Sequence, residues 1–248
     1  MNNFVNLNKM NIDSQHMTFI LAISLFTVGY LCYFFITKSA AIFSWFVKAY
    51  GEEKTKIWWV ISQKFTGFLF LGLLPAVVIL STSTIHLPDI GLGLKNILQS
   101  VYWIAGLSAV MVIINFFAAR KPDNLLVYPQ IRIQEWSIKV LLLSSLGWFV
   151  YLLGYEFLFR GVLLFLSLPI LGYWPAIFLN VSLYAFVHMP KGAKETIASI
   201  PLGFVLCVLT LETGTIWIAF FSHLALALSN EYFSIFFNKK MCVKGLKS

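Results

Sequence analysis

Residues 140–168 read VLLLSSLGWFVYLLGYEFLFRGVLLFLSL, an apolar run interrupted by only two charged residues, Glu156 and Arg160. A helix that crosses a bilayer needs about 20 mostly apolar residues, so this run predicts one long span that is tilted, bent near Gly161 or partly outside the hydrocarbon. A charged side chain at the centre of such a span costs about 2.5–3.5 kcal/mol. Because Glu156 and Arg160 are four residues apart and share one helix face, we expect them to pair and lower that cost.

The composition of the whole chain places this run in a membrane protein. Of its 248 residues, 59% are hydrophobic and 11% are charged, whereas about 25% of the residues of a soluble domain are charged. The formal net charge of +8 would suggest nucleic-acid binding in a soluble protein. Here the basic residues lie between apolar segments and in the tail, which indicates a lipid bilayer as the partner and no nucleic acid.

Six further apolar segments complete the predicted membrane bundle. They are residues 17–36, 65–80, 101–119, 174–188, 196–211 and 216–237. An eighth helix follows if the basic, amphipathic segment 38–64 enters the bilayer or if the long run divides. We therefore predict an all-α, polytopic bundle of about seven to eight transmembrane helices, formed by a single membrane domain over residues 1–248.

The distribution of basic residues predicts the orientation of this bundle. Lys and Arg concentrate in alternate loops and in the C-terminal tail, while the other loops hold Lys95 alone. Since basic residues are enriched in cytoplasmic loops, we expect a cytoplasmic C-terminus and an N-terminus on the other side. A compact chain without a soluble domain favours a bacterial cytoplasmic membrane.

Polar residues also interrupt two later spans. Asn180, Tyr184 and His188 recur every four residues and form a stripe on one helix face, and His223 lies near the middle of the last span. Each feature also has a purely structural explanation. The charged pair could fix helix packing, His188 could lie at the membrane interface, and His223 could form a hydrogen bond with a neighbouring helix. Together, a carboxylate, a guanidinium and two imidazoles in one bundle predict either hydrolysis or proton movement.

The order and spacing of these residues resemble the CPBP family, which comprises CAAX proteases and bacteriocin-processing proteins. The elements that carry the resemblance are Glu-x-x-x-Arg-Gly, aromatic-x-x-x-His and a histidine in a late span. The motif region covers residues 151–230, and the family-like core covers about residues 95–237. The linking residues agree with the family's spacing and are Lys191, Gly192, Glu195, Gly203 and Thr213 to Trp217.

This resemblance implies an intramembrane endopeptidase that hydrolyses a membrane-associated peptide or protein substrate. Glu156 would activate a water aided by His188, His223 would stabilise the oxyanion, and Arg160 would position Glu156. The family has been discussed as both metallo- and glutamate-type proteases, so the resemblance leaves two cofactor hypotheses open. The site needs no cofactor, or Glu156, His188 and His223 hold zinc with an open coordination position.

Three positions depart from the family pattern. Tyr155 stands where the family has a first glutamate that is usually assigned to activate water, and Tyr184 replaces a phenylalanine. Ala227 stands where the family often has an asparagine that helps to hold the oxyanion; Asn230 lies nearly a turn further on. Tyr155 and Ala227 favour an alternative, a non-catalytic relative that acts as a membrane scaffold or chaperone. A transporter or proton relay is a further alternative, for which inverted repeats or broken helices would be expected.

Overall fold

The structure, a computed structural model, describes residues 13–244 and is built almost entirely of helices. In chain order, the elements are α1 (Ser14–Lys38), α2 (Ala40–Tyr50), α3 (Glu52–Thr82), α4 (Ile97–Ala118), α5 (Pro122–Val127), β1 (Glu135–Trp136), α6 (Ile138–Leu171), α7 (Tyr173–His188), α8 (Ala193–Thr213), α9 (Trp217–Phe237) and β2 (Cys242–Val243). Short 3₁₀ turns cover Leu87–Ile90 and Met189–Lys191. The predicted all-α membrane bundle is confirmed.

Five of these helices, within residues 13–244, are long and apolar enough to cross a membrane: α1, α3, α4, α6 and α8. The other two predicted spans are also helical but differ in character. Helix α7 has only 16 residues, and α9 has 21 residues but includes the polar residues His223, Asn230 and Glu231. Because α9 buries His223 and Glu231 inside the bundle, its low hydropathy reflects contacts with protein rather than with lipid.

The segment predicted as a basic connector, residues 38–64, forms two helices. Helix α2 buries none of its side chains, and Ser39 caps it by accepting a hydrogen bond from the backbone of Ile42. Helix α3 begins at Glu52, 13 residues before the predicted span starts at Phe65. Its first turns are charged, which hid the helix start from a hydropathy reading. Lys64 therefore belongs to a membrane helix and is 6% exposed.

Helix α6 is the centre of the bundle. It does not break near Gly161; instead its hydrogen bonding changes to the π type from Phe157 to Leu164. Such π segments are often found at functional sites. The helix ends before Gly172, whose φ of 75° favours glycine.

Glycines allow α6 to pack closely against α3. A Cβ atom on Gly72 would lie 2.7 Å from the Cα of Gly154, and a Cβ on Gly154 would lie 3.1 Å from the backbone nitrogen of Gly72. Small residues at helix contacts let two backbones approach, which is the main source of packing energy between helices in lipid. The α3–α6 contact therefore fixes the depth and rotation of the residues on α6.

A short parallel pairing of β1 with β2 joins the segments that flank α6 and α9. Glu135 pairs with Cys242 and Trp136 with Val243, and Lys244 forms a 2.9 Å ion pair with Glu135. The segment that precedes α6 and the segment that follows α9 are thus tied together, which holds the two helices that carry Glu156 and His223 at one end.

Candidate functional site

The structure brings three of the four predicted catalytic residues into direct contact. Nδ1 of His223 donates a 2.6 Å hydrogen bond to Oε1 of Glu156, and Nη1 of Arg160 lies 3.3 Å from Oε2 of the same carboxylate. Glu156 and Arg160 are fully buried, and His223 is 9% exposed. Because Nδ1 carries the donated proton, Nε2 of a neutral His223 is left as a base.

Local backbone structure explains why Glu156 and Arg160 meet. Glu156 is the last α-helical residue before the π segment of α6, and Arg160 lies within that segment. The guanidinium of Arg160 also stacks over the ring of Tyr184, with 4.2 Å between its central carbon and the ring centroid. Gly203 on α8 leaves room for these groups, since a Cβ there would lie 3.0 Å from Tyr184 and 3.7 Å from Arg160.

His188 approaches the same region from the end of α7. Its Nδ1 donates a 2.7 Å hydrogen bond to the carbonyl oxygen of Tyr184, so Nε2 of this imidazole is an acceptor as well. Its ring lies 4.5 Å from that of Tyr184, centroid to centroid. Asn180 has a structural role, because its amide donates to the carbonyl of Phe159 and accepts from the thiol of Cys207.

Tyr155, which stands where the family has a glutamate, contacts both imidazoles. Its ring centroid lies 5.8 Å from that of His223 and 6.4 Å from that of His188, edge to face in both cases. The side chain is 4% exposed, and its hydroxyl has no hydrogen-bond partner among the described residues. A phenol therefore sits beside the histidines at the position where the family has a carboxylate.

A cavity of about 740 Å³ opens onto the two histidines. His188, His223, Tyr184 and Trp148 border it, whereas Glu156 and Arg160 do not. One wall comes from α4 and the other from α8, and the apolar side chains of these walls include Leu107, Met111, Ile114, Ala198, Leu202 and Val205. A ligand in this cavity would therefore meet the imidazoles before it met the carboxylate.

Charged residues stand at one margin of the cavity. Asp123, Lys191, Lys194 and Glu195 all border it, and Nζ of Lys191 lies 3.9 Å from Oε2 of Glu195. Burial lowers the pKa of Lys191, and the neighbouring carboxylate of Glu195 partly opposes that shift. The cavity thus joins an apolar interior to a polar margin of mixed charge.

The position four residues after His223 supplies no hydrogen bond. Ala227 borders the cavity and is 7% exposed. Asn230 also borders it, but its amide oxygen accepts a 3.0 Å hydrogen bond from Asn124. Asn115 of α4 donates to the carbonyl of Leu226 instead. Both asparagine side chains are thereby tied to the protein.

The predicted zinc ligands Glu156, His188 and His223 are not gathered into one ligand group in this structure. Among residues 13–244, no group of three His, Cys, Asp or Glu side chains is placed to hold a metal ion. The carboxylate of Glu156 already contacts His223 with one oxygen and Arg160 with the other. His188 donates from Nδ1 to the carbonyl oxygen of Tyr184, which leaves Nε2 as its ring nitrogen available to a ligand. We therefore derive no chemical step through a metal.

Sequence reasoning missed a second group of buried polar residues, Lys64 and Glu231, and the neighbouring wall residue Trp148. Lys64 is 6% exposed and Glu231 is 1% exposed. Glu231 offered a signal that was overlooked, namely a carboxylate within a predicted span. Lys64 offered none, because it follows a charged stretch and looks like part of a connector.

Comparison with known proteins assigns the region that contains this site. Residues 135–229 match the family model described as type II CAAX prenyl endopeptidase Rce1-like. No curated protein and no solved structure matches the chain. The matched region contains Glu156, Arg160, His188 and His223 together with the α8 wall of the cavity. Over residues 135–229, the chain is thus similar to the family of type II CAAX prenyl endopeptidases described as Rce1-like.

Proposed function

We propose that this protein hydrolyses a peptide bond of a membrane-associated peptide or protein substrate bound between α4 and α8. The observation that carries the proposal is a pair of imidazoles, His188 and His223, that border one cavity. Each has its Nδ1 engaged by a hydrogen bond, so each can present a basic Nε2.

The water-activating base is His223 acting with Glu156. Both oxygens of Glu156 are engaged, by His223 and by Arg160, so we assign the carboxylate to orienting His223 rather than to contacting the water itself. Nε2 of His223 takes the proton of the attacking water, and Glu156 stabilises the imidazolium that forms. The same proton then passes to the leaving amine, as in other base-and-orienter pairs. This differs from the sequence-based expectation, in which Glu156 activated the water and His223 held the oxyanion.

Two further residues complete this proposal. His188 accepts a hydrogen bond from the attacking water through Nε2 and orients it. Arg160 balances the charge of Glu156, because an isolated carboxylate in a fully buried position would otherwise be too costly to keep ionised.

The lining of the cavity supports a substrate that arrives from the bilayer. Apolar side chains of α4 and α8 form its walls, and charged side chains form one margin. A membrane-anchored segment fits this combination, with its anchor in lipid and its scissile bond beside the histidines. A prenylated peptide, the substrate named in the family description, is one member of this class.

The test uses purified wild-type protein and the variants His223→Ala and Glu156→Ala, all in lipid vesicles. Each is incubated with a library of membrane-anchored peptides, with and without a prenyl group, and products are read by mass spectrometry. We expect cleavage by the wild type and a loss of about 10²–10⁴-fold in His223→Ala, the usual contribution of a general base. Added imidazole should partly restore His223→Ala but not Glu156→Ala.

A folded wild type that cleaves no member of the library would count against the proposal. That result would favour the second candidate, a non-catalytic scaffold or chaperone. Its support is the phenol of Tyr155 beside the two histidines and the methyl group of Ala227 at the edge of the cavity. Cleavage gained by Tyr155→Glu in an otherwise inactive protein would identify Tyr155 as the residue that abolished the reaction.

A further inference from the structure

A lysine outside all the family motifs lies inside the bundle. The Nζ atom of Lys64 lies 2.8 Å from the ring centroid of Trp148 and 4.9 Å from that of Tyr151. Gly147 on α6 makes room for the lysine stem, because a Cβ there would lie 3.3 Å from Cγ of Lys64. Lys64 therefore packs against α6, because its ammonium lies over the indole of Trp148 and because Gly147 has no side chain to exclude the lysine stem.

Glu231 of α9 provides the opposite charge. Its Oε1 accepts a 3.0 Å hydrogen bond from the hydroxyl of Ser144, and its Oε2 accepts one of 3.3 Å from the backbone of Gln130. Lys64 and Glu231 attract each other electrostatically. Since a buried charge is tolerated when it is compensated, the carboxylate of Glu231 helps to offset the cost of burying the ammonium of Lys64.

Trp148 connects this pair to the functional site. The ammonium of Lys64 lies over the indole ring of Trp148, and Trp148 also borders the cavity that His188 and His223 line. Neither Lys64 nor Glu231 borders that cavity. Trp148 is therefore the direct contact between Lys64 and the cavity.

We propose that Lys64 and Glu231 are positioning residues that hold Trp148 as a fixed wall of the substrate cavity and so set substrate affinity. This inference rests on the proposed peptide hydrolysis. A cation over an aromatic face restrains the ring, and a wall that is already ordered removes part of the cost of binding. The chemical groups Glu156 and His223 are untouched by this pair, so the rate of the bound complex is set elsewhere.

The test compares Lys64→Met, Lys64→Arg and the double variant Lys64→Met/Glu231→Gln with the wild type, using a peptide that the wild type cleaves. We expect Lys64→Met to raise KM about tenfold and to leave kcat within about twofold, as loss of one buried cation–π contact predicts. Lys64→Arg keeps a cation at the indole and should restore KM to within about threefold. The double variant removes both charges, so it should retain the thermal stability of the wild type while its KM stays high.

A measurement without substrate separates this inference from the proposed function. The proteins are labelled with 5-fluorotryptophan, and the Trp148 resonance is assigned with Trp148→Phe. We expect Lys64→Met to shift that fluorine resonance and Lys64→Arg to shift it less. An unmoved resonance, or a folded double variant with the KM of the wild type, would overturn the inference. A moved resonance in a protein that cleaves nothing would support the Trp148 contact and overturn the hydrolase proposal alone.

Discussion

Helices α6 and α4 have similar hydropathy and opposite surroundings. Both are strongly apolar, yet 78% of the most apolar stretch of α6 is buried inside the protein, against only 6% of the most apolar stretch of α4. Lipid tails are as apolar as leucine, so apolar side chains do not distinguish a protein-facing helix from a lipid-facing one. The features that do distinguish α6 are its charged pair and the glycines at which α3 approaches.

The largest expected difference between the two helices comes from their arginines. Arg160→Met leaves Glu156 charged, buried and paired only with His223, and we expect it to destabilise the protein by about 3–5 kcal/mol. Arg120→Met, just after α4, removes a cation that lies 4.2 Å from the ring of Phe116 at an exposed position. That change should cost about 1 kcal/mol or less. Unfolding of both variants in mild detergent measures the difference, and equal losses would contradict the comparison.

A pair of glycines gives the next largest difference. Gly154→Val on α6 would force atoms against the backbone of Gly72, and overpacking of this kind costs about 1–3 kcal/mol. Gly106→Val on α4 is the matched control, because a Cβ there meets no atom within 4 Å. We expect no loss of stability from the control. The melting temperatures of the two variants test this expectation. A Gly154→Val protein as stable as the wild type would show that α3 and α6 can separate at little cost.

The smallest expected effect distinguishes the two faces of α4 itself. Ile114 borders the cavity, whereas Ile113 does not and is 59% exposed. Ile114→Trp should narrow the cavity and raise KM about tenfold, or about 1.4 kcal/mol of binding free energy, while Ile113→Trp should leave KM unchanged. Steady-state cleavage of a peptide substrate checks both. Equal KM values would place the substrate somewhere other than between α4 and α8.

The sequence was sufficient to predict the helical bundle and the contact between Glu156 and Arg160. Hydropathy placed the long run at 140–168, and α6 extends it by only two residues at the start and three at the end. The four-residue spacing of Glu156 and Arg160 correctly predicted their contact. Motif order, rather than any local pattern, predicted that His223 would join them from a helix 67 residues away in sequence.

Other features depend on packing that no single segment encodes. Lys64 follows charged residues, so hydropathy assigned it to a connector, although Gly147 on another helix provides its place inside. The hydrogen bond between His223 and Oε1 of Glu156 depends on how α9 packs against α6, which no local pattern encodes. The change to π-type hydrogen bonding in α6 likewise had no signature beyond an apolar run that was too long for one straight span.

The Glu156–Arg160 contact also bears on how the chain reaches the bilayer during synthesis. Both charges lie on one helix, so each can compensate the other before later segments have left the ribosome, which releases the chain N-terminus first. Unpaired, each would add about 2.5–3.5 kcal/mol to insertion at the helix centre. The centre of α6 can therefore be delivered to lipid with its two charges compensated, and arrival of His223 on α9 completes the site afterwards.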